Sequence, residues 1–162
     1  MERVRQQIKE QFHKAFYDAI AEAVASDPPN VDYVVRLYTE IRDRLAHMVK
    51  PTGRTHQQIH DDFDVDFFRQ LLENNAFDGN SLLGLVNTTF KWIQALQTPV
   101  RDESTEAAKQ RVLQSGTTMA DVVPAYIREV HGCLDTLEQD LKEFFDNIDH
   151  PVVQEMLRRS VR

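Results

Sequence analysis

The chain has 162 residues, 41% of them hydrophobic and 28% charged, which suits one soluble globular domain of residues 1–162 with a core of its own. Its 19 Lys and Arg against 26 Asp and Glu leave a net charge of −7, which argues against nucleic acid as a partner, since that needs a basic footprint. No window approaches 18 uncharged apolar residues, no apolar leader follows the charged start at Glu2, Arg3 and Arg5, and the single cysteine, Cys133, excludes an internal disulfide, so the expectation is a cytoplasmic protein without a transmembrane segment.

Glu2 to about Ala25 reads as one helix. Val4, Ile8, Phe12, Phe16, Ile20 and Val24 recur every four residues, with Ala15, Ala19 and Ala23 beside them. Such a stripe faces a core, or it docks on a partner. Its charges are mixed, which disfavours a membrane-surface helix, since that would be basic. Asp27-Pro28-Pro29 stops this helix, and Asn30 caps the next, whose stripe is Val34, Leu37, Tyr38, Ile41, Leu45 and Met48. Pro51-Thr52-Gly53 ends it, and a short polar helix runs from Arg54 to about Asp61.

Asp64 is a good cap for a helix carrying Phe67, Phe68, Leu71 and Leu72, which Asn75 ends. Asp78-Gly79-Asn80-Ser81 is a turn and cap before the most apolar helix, with Leu82, Leu83, Val86, Phe90, Ile93 and Leu96. Trp92 lies off that stripe and is free to fill a second contact face. Thr98 and Pro99 suit the cap and first position of a polar helix ending near Gln114, with Asp102 and Glu103 at its positive end. Arg101 stands between the apolar run and those two acids. The spacing suggests a guanidinium partly buried at this junction and clamped by a carboxylate from another helix. Gly116 stops that helix. Thr118 caps a long one running from Val122 to Ile148, with Pro124 in its first turns. Asp149-His150-Pro151 breaks it, and a short helix spans residues 152–159. No alternating strand pattern and no internal repeat is present.

Several of these residues together resemble one family. Pro99-Val100-Arg101-Asp102-Glu103 is similar to the PVRDE signature of the t-complex 11 family, helical proteins of eukaryotic cAMP-linked signalling and sperm function. Asp27-Pro28-Pro29-Asn30 with its following helix resembles that family's PPN entry. Asp64-Val65-Asp66 and Asn74-Asn75-Ala76-Phe77-Asp78 resemble its next region, and Val123-Pro124 followed by Leu134 to Leu141 resembles a later helix. The order and spacing agree from about Phe16 to Phe145. One departure is Gln97-Thr98, where the family has small residues before the signature. The family domain is longer, so the chain corresponds to its N-terminal part. The resemblance implies a role in signalling linked to cAMP-dependent protein kinase, and it brings no catalytic residues with it.

The candidate chemistry is thin. His56 and His60 share one helical face beside Asp61, Asp62 and Asp64, a donor set that suits zinc, but Gln57 stands where a metalloprotease helix has its glutamate. Asp62, Asp64 and Asp66 mimic a calcium loop whose glycine position is Phe67. Cys133 lies near the stripe of the long helix and reads as a buried thiol. Arg158, Arg159 and Ser160 form a basic end that complements a helix terminus, with a phosphorylation site at Ser160 as the alternative reading.

The expected fold is therefore all-α: a bundle of seven or eight helices, antiparallel neighbours, and no sheet. The expected function is a non-enzymatic adaptor or regulatory interaction module with no cofactor and no metal. Its partner is a protein or a second copy, held on Val4, Ile8, Phe12 and Phe16. The alternative is a metal-binding protein or enzyme built around His56, His60 and the neighbouring aspartates.

Overall fold

The computed structural model describes residues 2–26, 30–149 and 151–160, and every regular element among them is helical. The α-helices are α1 (Glu2–Ala25), α2 (Val31–Ala46), α3 (Arg54–Asp62), α4 (Val65–Glu73), α5 (Gly79–Leu96), α6 (Asp102–Leu113), α7 (Met119–Asp146) and α8 (Pro151–Ser160). A 3-10 turn, Pro99–Arg101, precedes α6. No strand occurs among the described residues, so the chain is all-α as expected. The expected count of seven or eight needs one correction. Six helices reach ten residues, whereas α3 and α4 have only 9 residues each and serve as short connectors.

Short-range chemistry sets most of the boundaries. The side chains of Asn30, Asp64, Asp78 and Thr118 accept from the backbone N–H groups of Tyr33, Phe67, Ser81 and Asp121, so four helices start where a side-chain oxygen satisfies an orphan donor. Asn75 takes a left-handed φ of 53° after α4, a conformation that asparagine tolerates better than most residues. Thr98 departs from expectation: its hydroxyl makes no cap bond, and the chain passes through the 3-10 turn before α6 begins. The stops expected at Asp27-Pro28-Pro29 and at His150 lie outside the described residues.

The long helix α7 is the axis of the core. It buries Val123, Tyr126, Ile127, Val130, Leu134 and Leu137 against Ile41 and Leu45 of α2 and Val86, Phe90 and Ile93 of α5. α6 runs antiparallel to it, since Arg101 and Arg111 pair with Asp140 and Glu129 respectively. α1 is antiparallel to it as well: Phe16 stacks on His131, while Val24 shares a pocket with Met119 and Val123. α2 runs the other way. Arg44 near its C-terminus reaches Asp135 at 2.6 Å and Glu138 at 2.8 Å, and Val34 near its start lies with Val123. α3 and α4 close the bundle on the far side of α2, with Ile59, Phe63 and Phe68 buried.

Candidate functional site

The PVRDE stretch is a junction. Pro99 fixes the turn that follows α5 and aims Arg101 back at α7. Arg101 Nε donates to Asp140 Oδ2 at 3.0 Å and its Nη2 donates to Asp140 Oδ1 at 2.9 Å, a bidentate fork on a half-buried carboxylate. Hydrogen bonding from Arg101, together with its charge, holds the Asp140 carboxyl below its ordinary range and raises the guanidinium. The other members serve different ends. Asp102 accepts from the Gln97 amide at 2.8 Å, and Gln97 accepts from the buried Thr105 hydroxyl at 2.7 Å. Val100 and Glu103 face solvent. Asp140 belongs to the helix pattern quoted above, but nothing local in that pattern names Arg101 as its partner.

Beneath this fork lies a polar cleft of about 190 Å³ between α6 and α7. Arg111 closes its other end with a second fork on Glu129, at 3.0 Å for both bonds. Cys133 lines the cleft, and burial pushes its thiol up, away from the reactive thiolate. Gln97, Arg101, Thr105, Arg111, Glu129 and Asp140 already engage one another. The cleft is therefore a packing seam held by two ion pairs.

The histidine pair is real but incomplete. The rings of His56 and His60 lie 4.6 Å apart on α3. Among the described residues no group of three or more His, Cys, Asp or Glu side chains is placed to hold a metal ion. The nearby acids have other work. Asp61 accepts from Gln57, Asp64 caps α4, and Asp62 accepts from Trp92 Nε1 at 2.7 Å. That last bond also accounts for Trp92, which is buried and spans from α5 to the end of α3. At the basic end, Arg158 lies 4.0 Å from Glu155; the side chains of Arg159 and Ser160 fall outside the described residues.

The stripe on α1 splits in two. Ile20 is fully buried and Phe16 is partly buried, with its ring 6.3 Å from His131. Val4, Ile8 and Phe12 are 57%, 47% and 71% exposed. Residues 2–15 are exposed all round α1, so the bundle covers this helix only from Phe16 onward and leaves every face of its N-terminal half uncovered. Phe16 thus belongs with the core side, and the exposed apolar set is Val4, Ile8 and Phe12.

A further feature has no single-stretch signature. An apolar pocket of about 160 Å³ opens where the end of α1 meets α2, α4, α5 and the start of α7, with Val34, Leu37, Phe68, Leu85 and Val123 in its walls. A wider groove of about 380 Å³ adjoins it, sharing Tyr38, Phe68, Leu71, Phe77 and Leu85. Asp61, Asp62 and Asp64 stand on the rim of that groove beside the exposed ring of Phe67. Each apolar residue of the walls reads alone as a core position. Only the crossing of five helices makes them a concave surface.

No described helix is long and apolar enough to cross a membrane. The family model described as T-complex protein 11 matches residues 1–149. No solved structure matches the chain.

Proposed function

The chain belongs to the T-complex protein 11 family, and we propose that it is a non-enzymatic adaptor or regulatory module that holds a protein partner on the N-terminal half of α1. One observation carries this reading. Val4, Ile8 and Phe12 are large apolar side chains set in a row on the exposed half of a helix whose other half is anchored on α7. An apolar row of this kind is what helix-in-groove recognition uses, with a central aromatic supplying most of the binding energy. The cellular setting proposed is cytoplasmic signalling linked to cAMP-dependent protein kinase, which rests on the family resemblance rather than on α1.

The experiment uses purified subunits of cAMP-dependent protein kinase as the probe, titrated by calorimetry into wild type, into a chain lacking the residues before Phe16, and into Phe12→Glu. Those residues pack little, so circular dichroism should show most helicity retained in both variants. Binding by wild type that both variants lose is the expected result. Binding that survives in both variants removes α1 from the interaction, and no binding by wild type removes the kinase setting. If the truncated chain unfolds, Phe12→Glu decides alone, and normal binding by that variant removes Phe12 from the interaction.

A further inference from the structure

Several large apolar side chains are exposed among the described residues, Phe144 and Phe145 at the end of α7 among them, and two of the uncovered apolar surfaces are complementary. One is a convex row: Val4, Ile8 and Phe12 on α1. The other is concave: the pocket of about 160 Å³ and the wider groove beside it. The pocket is close in size to an apolar cavity of roughly 150 Å³ that takes a benzene ring, so it suits one phenylalanine side chain. The groove that continues from it has an apolar floor at Phe68 and Leu71 and an exposed apolar lip at Phe67.

Charge points the same way. The chain as a whole is acidic at −7. The exposed half of α1 is the exception, carrying Arg3, Arg5, Lys9 and Lys14 against Glu2 and Glu10. At about 100° per residue Arg5 and Lys9 lie along one edge of the apolar row, Glu2 shares the face of Lys9, and Glu10 lies on the far side of the helix. The groove rim is of the opposite sign: Asp61, Asp62 and Asp64 line it, Asp66 follows, and no Lys or Arg interrupts that run. An apolar groove with an acidic rim selects an amphipathic helix with basic flanks.

The chain's own α1 cannot reach this groove. Val24, at the far end of the same continuous helix, lines the pocket. At 1.5 Å per residue Phe12 lies about 18 Å up the axis from Val24, pointing away. A second copy has no such constraint. We propose that two copies form a reciprocal dimer in which Phe12 of each enters the apolar pocket of the other, with Arg5 and Lys9 against the Asp61–Asp66 rim. Reciprocity closes the arrangement on a two-fold axis and leaves no open end for a filament. The proposal rests on the reading of α1 as the docking element, and it names a partner for that element.

Sedimentation equilibrium of the full chain tests it with two variants. Phe12→Glu removes the knob. Val34→Phe fills the pocket with an apolar ring and leaves every charge in place. Wild type should be a dimer and each variant alone a monomer, while an equal mixture of the two variants should give a heterodimer held by the one contact still intact. Raising the salt should weaken the wild-type dimer, since the rim contacts are screened. A labelled peptide of residues 1–18 should bind the Phe12→Glu chain, whose groove is empty, and fail to bind Val34→Phe; this second arm decides the matter if Val34→Phe folds poorly in bulk assays. A monomeric wild type overturns the dimer but leaves kinase binding by α1 standing. A Val34→Phe chain that still dimerises means α1 packs on α1 of the second copy, and the groove plays no part.

Discussion

Tyr126 and Thr89 form the one buried polar link between α7 and α5, and removing its two halves should have unequal costs. The Tyr126 hydroxyl lies 2.8 Å from Thr89 Oγ1, and both residues are almost fully buried. Thr89 Oγ1 donates its only proton to the Leu85 carbonyl at 2.8 Å, so Tyr126 must donate to Thr89. Tyr126→Phe deletes that donor and strands nothing that needs a partner, since the Thr89 proton stays on Leu85. The cost is that of one ordinary hydrogen bond, about 0.5–1.5 kcal/mol. Thr89→Val keeps the shape and leaves the phenol donor buried without an acceptor, at about 1–3 kcal/mol. The double variant removes both groups and should be less destabilised than the sum, with a coupling of about 1 kcal/mol. Urea unfolding followed by circular dichroism at 222 nm measures all three. For a chain of this length each kcal/mol appears as about 2–4 °C in Tm. If Tyr126→Phe proves as costly as Thr89→Val, or the double variant is simply additive, the donor assignment is wrong.

Other outcomes follow from the same geometry. Burial raises the phenols of Tyr126 and Tyr38 above their ordinary value, so the folded state holds these protons more tightly than the unfolded one. Stability is then full below about pH 10 and falls as pH rises above it, and Tyr126→Phe should flatten that alkaline loss in a series of thermal melts. Arg101 depresses the Asp140 carboxyl, the opposite sign. The stability lost in Arg101→Ala should be complete at neutral pH and shrink as pH falls through and below about 4, because protonated Asp140 no longer needs the fork. Arg101→Lys should also lower Tm, since an ammonium cannot reproduce two parallel bonds; equal melting of the lysine variant and wild type would show that the fork geometry is immaterial. Asn75 sits at a φ of 53°. Asn75→Ala should cost about 1 kcal/mol in urea unfolding and Asn75→Gly little or nothing, and an alanine variant as stable as wild type would mean the left-handed turn is not kept.

The helices were legible from the sequence because their causes are local. A cap such as Asn30, Asp64, Asp78 or Thr118 acts on a backbone group three residues away, and an apolar stripe is a property of one helix; the same motifs in order carry the family. Arg101 was legible in part: its place between apolar and acidic neighbours implied a clamp, but the partner lies 39 residues along the chain. No local pattern chooses Asp140 over the other acids of α7, since that depends on how α6 crosses it. Trp92 was a loose end in the sequence and finds Asp62 only because α3 ends beneath α5. The stripe on α1 shows the division most clearly. Sequence spacing identified Val4, Ile8, Phe12 and Phe16 as one set, whereas only Phe16 lies close enough to the α7 face to be covered. Which turns of a helix are buried depends on the neighbours that meet them. A concave surface built by five helices depends on all of their crossings at once, and those are settled only when the chain has packed.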